Sequence, residues 1–140
     1  MNIDAMFSSK TDLWATPQDF YEKLNADFGF TLDPCATPEN AKCAKFYTKE
    51  QDGLRQNWGG EIVFCNPPYG REIYDWVRKC YEEAQKPKTT VVMLIPARTD
   101  TCYFHKYIYR KAREIRFLKG RLKFGNQANS APFPSMIVVF

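Results

Sequence analysis

Asn66-Pro67-Pro68-Tyr69 is the segment of this 140-residue chain whose residue types and order point most directly to chemistry. Two consecutive prolines remove two backbone donors and lock φ, so the Asn66 amide and the Tyr69 ring are carried on a rigid frame. Such a frame suits a poor nucleophile: an exocyclic amine, like that of adenine, whose lone pair is delocalised into a heteroaromatic ring. Hydrogen bonds accepted from both of its N–H groups favour a pyramidal nitrogen and aim the lone pair at an electrophilic carbon. The side-chain oxygen of Asn66 and the carbonyl of Pro67 could supply the two acceptors without a charged base. Pro68 fixes the turn, and Tyr69 is expected to stack on the ring. A second group with chemical meaning is Asp33, followed at once by Pro34. A carboxylate at a strand end is placed for a ligand and can also cap the turn that follows.

These groups need elements to hold them. Thr16-Pro17-Gln18-Asp19 reads as a capping box with proline at the first helical position. Phe20, Tyr21, Leu24 and Phe28 give that helix one apolar face, and Gly29 ends it. Phe30 to Pro34 predicts a short strand stopping at Asp33, because proline cannot continue the ladder. Glu61 to Cys65 predicts a buried strand that breaks at Asn66. Ile73, Trp76, Val77, Cys80, Tyr81 and Ala84 then form one helical stripe, ended by Pro87. The unbroken apolar run Thr90 to Ile95 predicts a central parallel strand covered on both faces. A helix from about Thr101 to Lys111 should bury Phe104, Tyr107 and Ile108. Strands near Glu114–Leu118 and Ser135–Phe140 flank a loop with Gly120, Gly125 and Asn126. Strand and helix alternate, so an α/β fold with a mainly parallel sheet is expected. Ligands of such sheets bind at the carboxyl ends of the strands, where Asp33 and Asn66 both fall.

Composition narrows the class. With 44% hydrophobic and 26% charged residues the chain is neither disordered nor fibrous. No apolar run reaches the roughly 20 residues of a membrane helix, and the N-terminus lacks a basic-then-apolar leader, so a cytoplasmic protein is expected. Five cysteines without a CxxC pair suit reduced thiols. Only Cys102 and His105 have ligand-like spacing, and no metal is expected. Residues 1–13 read as a polar arm before a single domain at 14–140.

The net charge of +4 is compatible with a polyanionic partner. Its distribution says more: His105, Lys106, Arg110, Lys111, Arg113, Arg116, Lys119, Arg121 and Lys123 stand against one acid, Glu114. Arg98, Arg110, Lys111, Lys119, Arg121 and Lys123 are the candidate phosphate contacts, the plain alternative being a solvated helix face and hairpin. His105 reads as a surface residue or phosphate contact, and Trp58 and Trp76 as core.

The segments Trp14-Ala15-Thr16-Pro17, Leu32-Asp33-Pro34-Cys35-Ala36, Asn40-Ala41-Lys42-Cys43, Asp52-Gly53-Leu54, Phe64-Cys65-Asn66-Pro67-Pro68-Tyr69-Gly70 and Ala131-Pro132-Phe133-Pro134-Ser135 together resemble the phage-type Dam family of DNA adenine N6-methyltransferases. That resemblance implies a Rossmann-like methyltransferase fold with an antiparallel C-terminal strand, S-adenosyl-L-methionine as donor, DNA as partner, and a target adenine flipped out of the duplex. It also implies a phage or prophage origin in a bacterial host and a part in DNA modification. Carried over by residue, it sets Trp14, Thr16 and Pro17 beside the cofactor, with Asp33 and Pro34 at its methionine amino group. Asn66, Pro67, Pro68 and Tyr69 become the amine-holding motif, with Asn66 also facing the cofactor. Asp52 faces cofactor or base, and Glu39 and Asp52 are the candidates for the ribose hydroxyls.

The chain departs from the wider methyltransferase pattern in two places. Pro34-Cys35-Ala36 stands where a glycine-rich turn is usual, and the stretch from Asp33 to Glu61 is short for helix, strand and helix, so one element is expected to be missing or degenerate. No stretch of these 140 residues is long enough for a separate target-recognition domain, so DNA specificity is expected to come from loops and the basic region, or to be low. The same tetrapeptide resembles that of RNA adenine and protein glutamine methyltransferases, and a DNA-binding module without catalysis is the alternative from another class.

Overall fold

A computed structural model describes residues 14–125 and 130–140. The expected arm at 1–13 and Asn126 lie outside the described residues. Six strands form one sheet: β1 (Leu32–Asp33), β2 (Lys45–Phe46), β3 (Ile62–Cys65), β4 (Thr90–Pro96), β5 (Glu114–Phe117) and β6 (Ser135–Val139), in the order β2-β1-β3-β4-β6-β5. The first four pair in parallel, whereas β6 is antiparallel to both β4 and β5. β5 therefore runs the same way as β4. This is the expected Rossmann-like α/β arrangement with an antiparallel C-terminal strand.

The sheet centre explains the apolar runs. Val91 to Ile95 of β4 are each 0% exposed, so both faces of that strand are covered and no polar alternation is tolerated. Helix α1 (Gln18–Phe28) covers one face, with the Tyr21 ring edge-on to Phe64 at 5.1 Å. Helix α2 (Ile73–Ala84) covers the other and buries Trp76, Val77 and Cys80. Gly29 closes α1 in the left-handed conformation at φ 69°, donating its N–H to Asn25. No described helix is long and apolar enough to cross a membrane.

Three elements differ from expectation. Pro17 is the cap of α1 rather than its first residue, and Thr16 makes no capping bond because its hydroxyl is engaged elsewhere. The segment expected to be helical at 101–111 narrows to one wide turn, Phe104–Ile108, in which Tyr109 N–H reaches back to the Phe104 carbonyl. The expected burial of Phe104, Tyr107 and Ile108 does hold. Both helices of that stretch are absent, where one element was expected to be missing or degenerate: β1 and β2 are joined by turns alone, and β2 and β3 by one 3₁₀ turn, Gly53–Arg55.

What replaces that packing is polar as well as apolar. Glu83, 5% exposed at the end of α2, accepts the Trp58 N–H at 2.6 Å and pairs with Lys86 at 2.7 Å and Lys79 at 3.6 Å. Burial works against its charge, but the lysines and the N–H prevail and hold its carboxyl below the usual range.

Candidate active site

β1 and β3 are parallel neighbours, with Leu32 opposite Val63, so the turns after Asp33 and Cys65 open at the same edge of the sheet. Between them lies a cleft of about 500 Å³. Trp14, Thr16, Asp33, Pro34, Asp52, Asn66, Pro67 and Pro68 line it, so most of the residues singled out from the sequence converge there.

Asp33 is 4% exposed, and its carboxylate accepts the backbone N–H of Lys42 at 3.0 Å and of Cys35 at 3.3 Å. Burial raises its pKa to about 6 in spite of those two bonds. The side chain thus caps its own turn, as one sequence reading expected, and also lines the cleft. The backbone bonds leave the carboxylate without a cationic partner within ion-pair distance among the described residues.

Asn66 is held from three sides. Its amide nitrogen donates to the Trp14 carbonyl and, at 2.9 Å, to Thr16 Oγ1. Its oxygen accepts from the Tyr69 hydroxyl at 2.5 Å, which also lies 3.0 Å from the Leu94 carbonyl. With both N–H groups committed, the amide has one orientation, and its oxygen keeps one lone-pair direction unused. No described residue donates to the Pro67 carbonyl. The arrangement offers hydrogen-bond acceptors, not a base.

Tyr69 departs from expectation. Its ring is 6% exposed, does not line the cleft, and meets Phe133 at 5.7 Å and Phe124 at 6.3 Å edge-on. A base has no open face of Tyr69 to stack on here; the ring is claimed by that cluster and the hydroxyl by Asn66. Trp14 completes the same cluster, 5.5 Å from Phe124 and 5.1 Å from Phe133, while Gly125 N–H donates to the Ala15 carbonyl. The segment 14–16 is therefore strapped to the β5–β6 loop on one side and to Asn66 on the other. Pro17 caps α1 and does not line the cleft.

Asp52 has φ 56°, caps Leu54 N–H at 3.2 Å and pairs with Arg55 at 3.4 Å. The next residue must be glycine, since a Cβ at Gly53 would lie 2.1 Å from the Pro34 carbonyl oxygen. Glu39 is exposed and outside the cleft lining, so of the two ribose candidates only Asp52 lines the cleft. Trp58, 0% exposed, is core as expected, and Trp76 is core that also reaches the cleft wall. Sequence reasoning missed Thr48 and Lys49, which follow β2 and line the cleft with Lys42, Leu54 and Glu72. Their signal was the short strand Lys45–Phe46, too brief for any alternation to reveal.

The basic candidates do not form one patch. Because β5 runs with β4, Lys119, Arg121 and Lys123 follow its carboxyl end, at the edge shared with Asn66 and Arg98. Arg110 and Lys111 precede its amino end, and Lys111 lies over the Tyr81 ring of α2 at 5.8 Å. All six are exposed. His105 is exposed too, with Nε2 2.7 Å from the Thr99 carbonyl.

Residues 5–140 match the family described as DNA N-6-adenine-methyltransferase (Dam). The DNA N-6-adenine-methyltransferase of Escherichia phage T1 is 38% identical over 114 residues, 79% of this chain and 46% of the phage protein, so the chain spans about half the length of that relative. YfdM of Escherichia coli strain K12, which carries a provisional methyltransferase name, is 38% identical over 65 residues, 41% of this chain and 71% of that protein. A Thermoplasma acidophilum structure, provisionally named a methyltransferase, superposes with a TM-score of 0.47 at 12% identity, over 90% of this chain and 64% of that one.

Proposed function

Because the chain belongs to the DNA N-6-adenine-methyltransferase (Dam) family, we propose that it methylates the N6 amino group of adenine in DNA with S-adenosylmethionine as donor. The observation that carries this reading is the committed Asn66 amide, whose oxygen and the neighbouring Pro67 carbonyl stand as acceptors at the mouth of a cleft. An amine with two N–H groups matches two acceptors, and a hydroxyl, with one, does not.

The cleft suits the donor by its chemistry. Its volume lies in the range of small-molecule sites. Asp33 offers an ammonium a buried carboxylate, the more effective for being desolvated. Asp52, which also lines the cleft, offers acceptors to a diol, and Trp14, Leu54 and Trp76 supply apolar surface for a purine. When bound, S-adenosylmethionine supplies a methyl carbon on a positively charged sulfur, ready for direct displacement.

The chain's part is positional. Asn66 Oδ1 and the Pro67 carbonyl hold the amino group, the two prolines keep the acceptors from turning away, and Thr16 with the Trp14 carbonyl keeps the amide from flipping. No charged base is needed at the nitrogen, whose proton leaves to water after the methyl has arrived. The cations at the carboxyl edge, Arg98, Lys119, Arg121 and Lys123, are placed to receive phosphates.

The test is direct: incubate the chain with unmethylated duplex DNA and isotopically labelled S-adenosylmethionine, digest the DNA, and identify the nucleosides by mass spectrometry. N6-methyladenine should form and should vanish with Asn66→Ala, while that variant still binds the cofactor in a calorimetric titration. Label in RNA or in a protein glutamine but not in DNA would overturn the substrate assignment. Absence of cofactor binding by the native chain would leave a DNA-binding module.

A further inference from the structure

Phe117 is 62% exposed, one of two large hydrophobic side chains left open among the described residues. It is the last residue of β5 and pairs with Met136, which in turn faces Ile95 at the end of β4. Phe117 therefore sits at the edge of the sheet on which the Asn66 turn opens. Lys119, Arg121 and Lys123 follow within six residues, all exposed and none in an ion pair with a described acid. The next acid along β5, Glu114, is already taken by Arg116 at 2.9 Å.

We infer that Phe117 and the cations after it form a duplex-DNA docking rim beside the catalytic cleft, and that the Arg110–Lys111 pair takes no part in it. The inference rests on the DNA reading above and specifies where the duplex lies. Three strand spacings separate β3 from β5, an offset of about 14 Å, close to the roughly 12 Å width of the major groove. A duplex that presents one adenine to Asn66 can thus rest its backbone on the 119–123 segment across a single groove. Phe117 then meets base edges within that groove, where an apolar ring finds thymine methyl groups or an unstacked base. Arg110 and Lys111 are removed by the length of β5, about 10 Å, plus the residues before it. Their side chains are turned onto the Tyr109 and Tyr81 rings.

Binding of a fluorescently labelled 20-base-pair duplex, measured by anisotropy between 50 and 200 mM salt, separates the two kinds of interaction. Joint replacement of Lys119, Arg121 and Lys123 by alanine should flatten the slope of log K against log salt by about 2.7, roughly 0.9 for each phosphate no longer neutralised. Phe117→Ala should weaken binding about tenfold with the slope unchanged, as expected when an apolar or stacking interaction is removed. Arg110→Ala with Lys111→Ala should leave both quantities at the native values. Phe117 is exposed, so its truncation should not alter the melting temperature, which is checked in parallel. Native-like binding by the Phe117 or triple variant, or a slope that flattens on replacing Arg110 and Lys111, would overturn the rim while leaving the DNA reading standing. No binding of the duplex by the native chain would overturn both.

Discussion

Thr16→Val should cut the maximal rate of methyl transfer between about 5-fold and 150-fold with little change in cofactor affinity. Thr16 is 6% exposed and its Oγ1 accepts one of the two Asn66 amide hydrogens at 2.9 Å. Valine keeps the shape and removes the acceptor. A buried donor left without a partner costs about 1–3 kcal/mol, and at 1.36 kcal/mol per factor of ten this gives the range stated. Asn66 can escape part of the cost by turning its amide, but then an NH2 group faces the target amine where an acceptor is needed. The loss should therefore fall on kcat. The family resemblance gives Thr16 another role, as a cofactor contact, and that role predicts a raised KM for S-adenosylmethionine with kcat intact at saturation. Steady-state kinetics with both substrates varied separate the two, and Thr16→Ser, which restores the acceptor, should recover most of the rate. A native kcat in the valine variant, or a loss that serine does not rescue, would refute the positioning argument.

Two other consequences follow from the cleft. Asp33 carries a pKa raised to about 6, so it takes up a proton as pH falls through that value and can then no longer hold an ammonium as a carboxylate. Calorimetry should find S-adenosylmethionine affinity level above pH 6 and weakening toward tenfold per pH unit below it, with Asp33→Asn weak and flat throughout; a native affinity independent of pH would be inconsistent with this role. Gly53→Ala would place a methyl group 2.1 Å from the Pro34 carbonyl oxygen, a backbone atom that cannot move aside without disturbing the Asp33 turn. A loss of about 1–3 kcal/mol in denaturant unfolding is expected, with weakened cofactor binding, and native stability would mean that the turn can yield.

Where local pattern carried the information, the sequence was readable. The stripe on α2, the uninterrupted apolar strand β4 and the proline that follows β1 lie within windows of a dozen residues, and all appear where expected. What the pattern could not supply was distance in space between residues far apart in sequence. Thr16 reads locally as a helix cap, yet its hydroxyl serves an amide 50 residues away, and a cap and a tertiary acceptor have the same sequence signature. Tyr69 is the converse. The motif suggests an aromatic face open to a base, but only the later residues Phe124 and Phe133 decide whether that face is open. The basic run at 105–123 reads as one patch because it is one stretch of chain, and strand β5 divides it between opposite edges of the sheet.

The shortened stretch between β1 and β3 shows how a site can be built across a crossover without α-helices. A helix in that crossover would cover the sheet beside β1 and brace the cofactor turn from behind. Here Trp58 takes over that burial: its indole N–H donates to the Gly53 carbonyl at 3.0 Å, its backbone N–H to Glu83, and its ring lies near-parallel to Trp76 at 6.4 Å. Gly53 is thereby pressed against Pro34, the residue after Asp33. A rigid Pro34 turn backed by a tryptophan thus stands where a glycine-rich loop would otherwise cradle the ligand with backbone N–H groups. The consequence is a change in chemistry rather than only in length. On the proposed reading, recognition falls to two cleft-lining carboxylates, Asp33 and Asp52, which favour a cationic head and a diol over a phosphate. That choice is consistent with a sulfonium donor and works against a nucleotide phosphate in the same cleft.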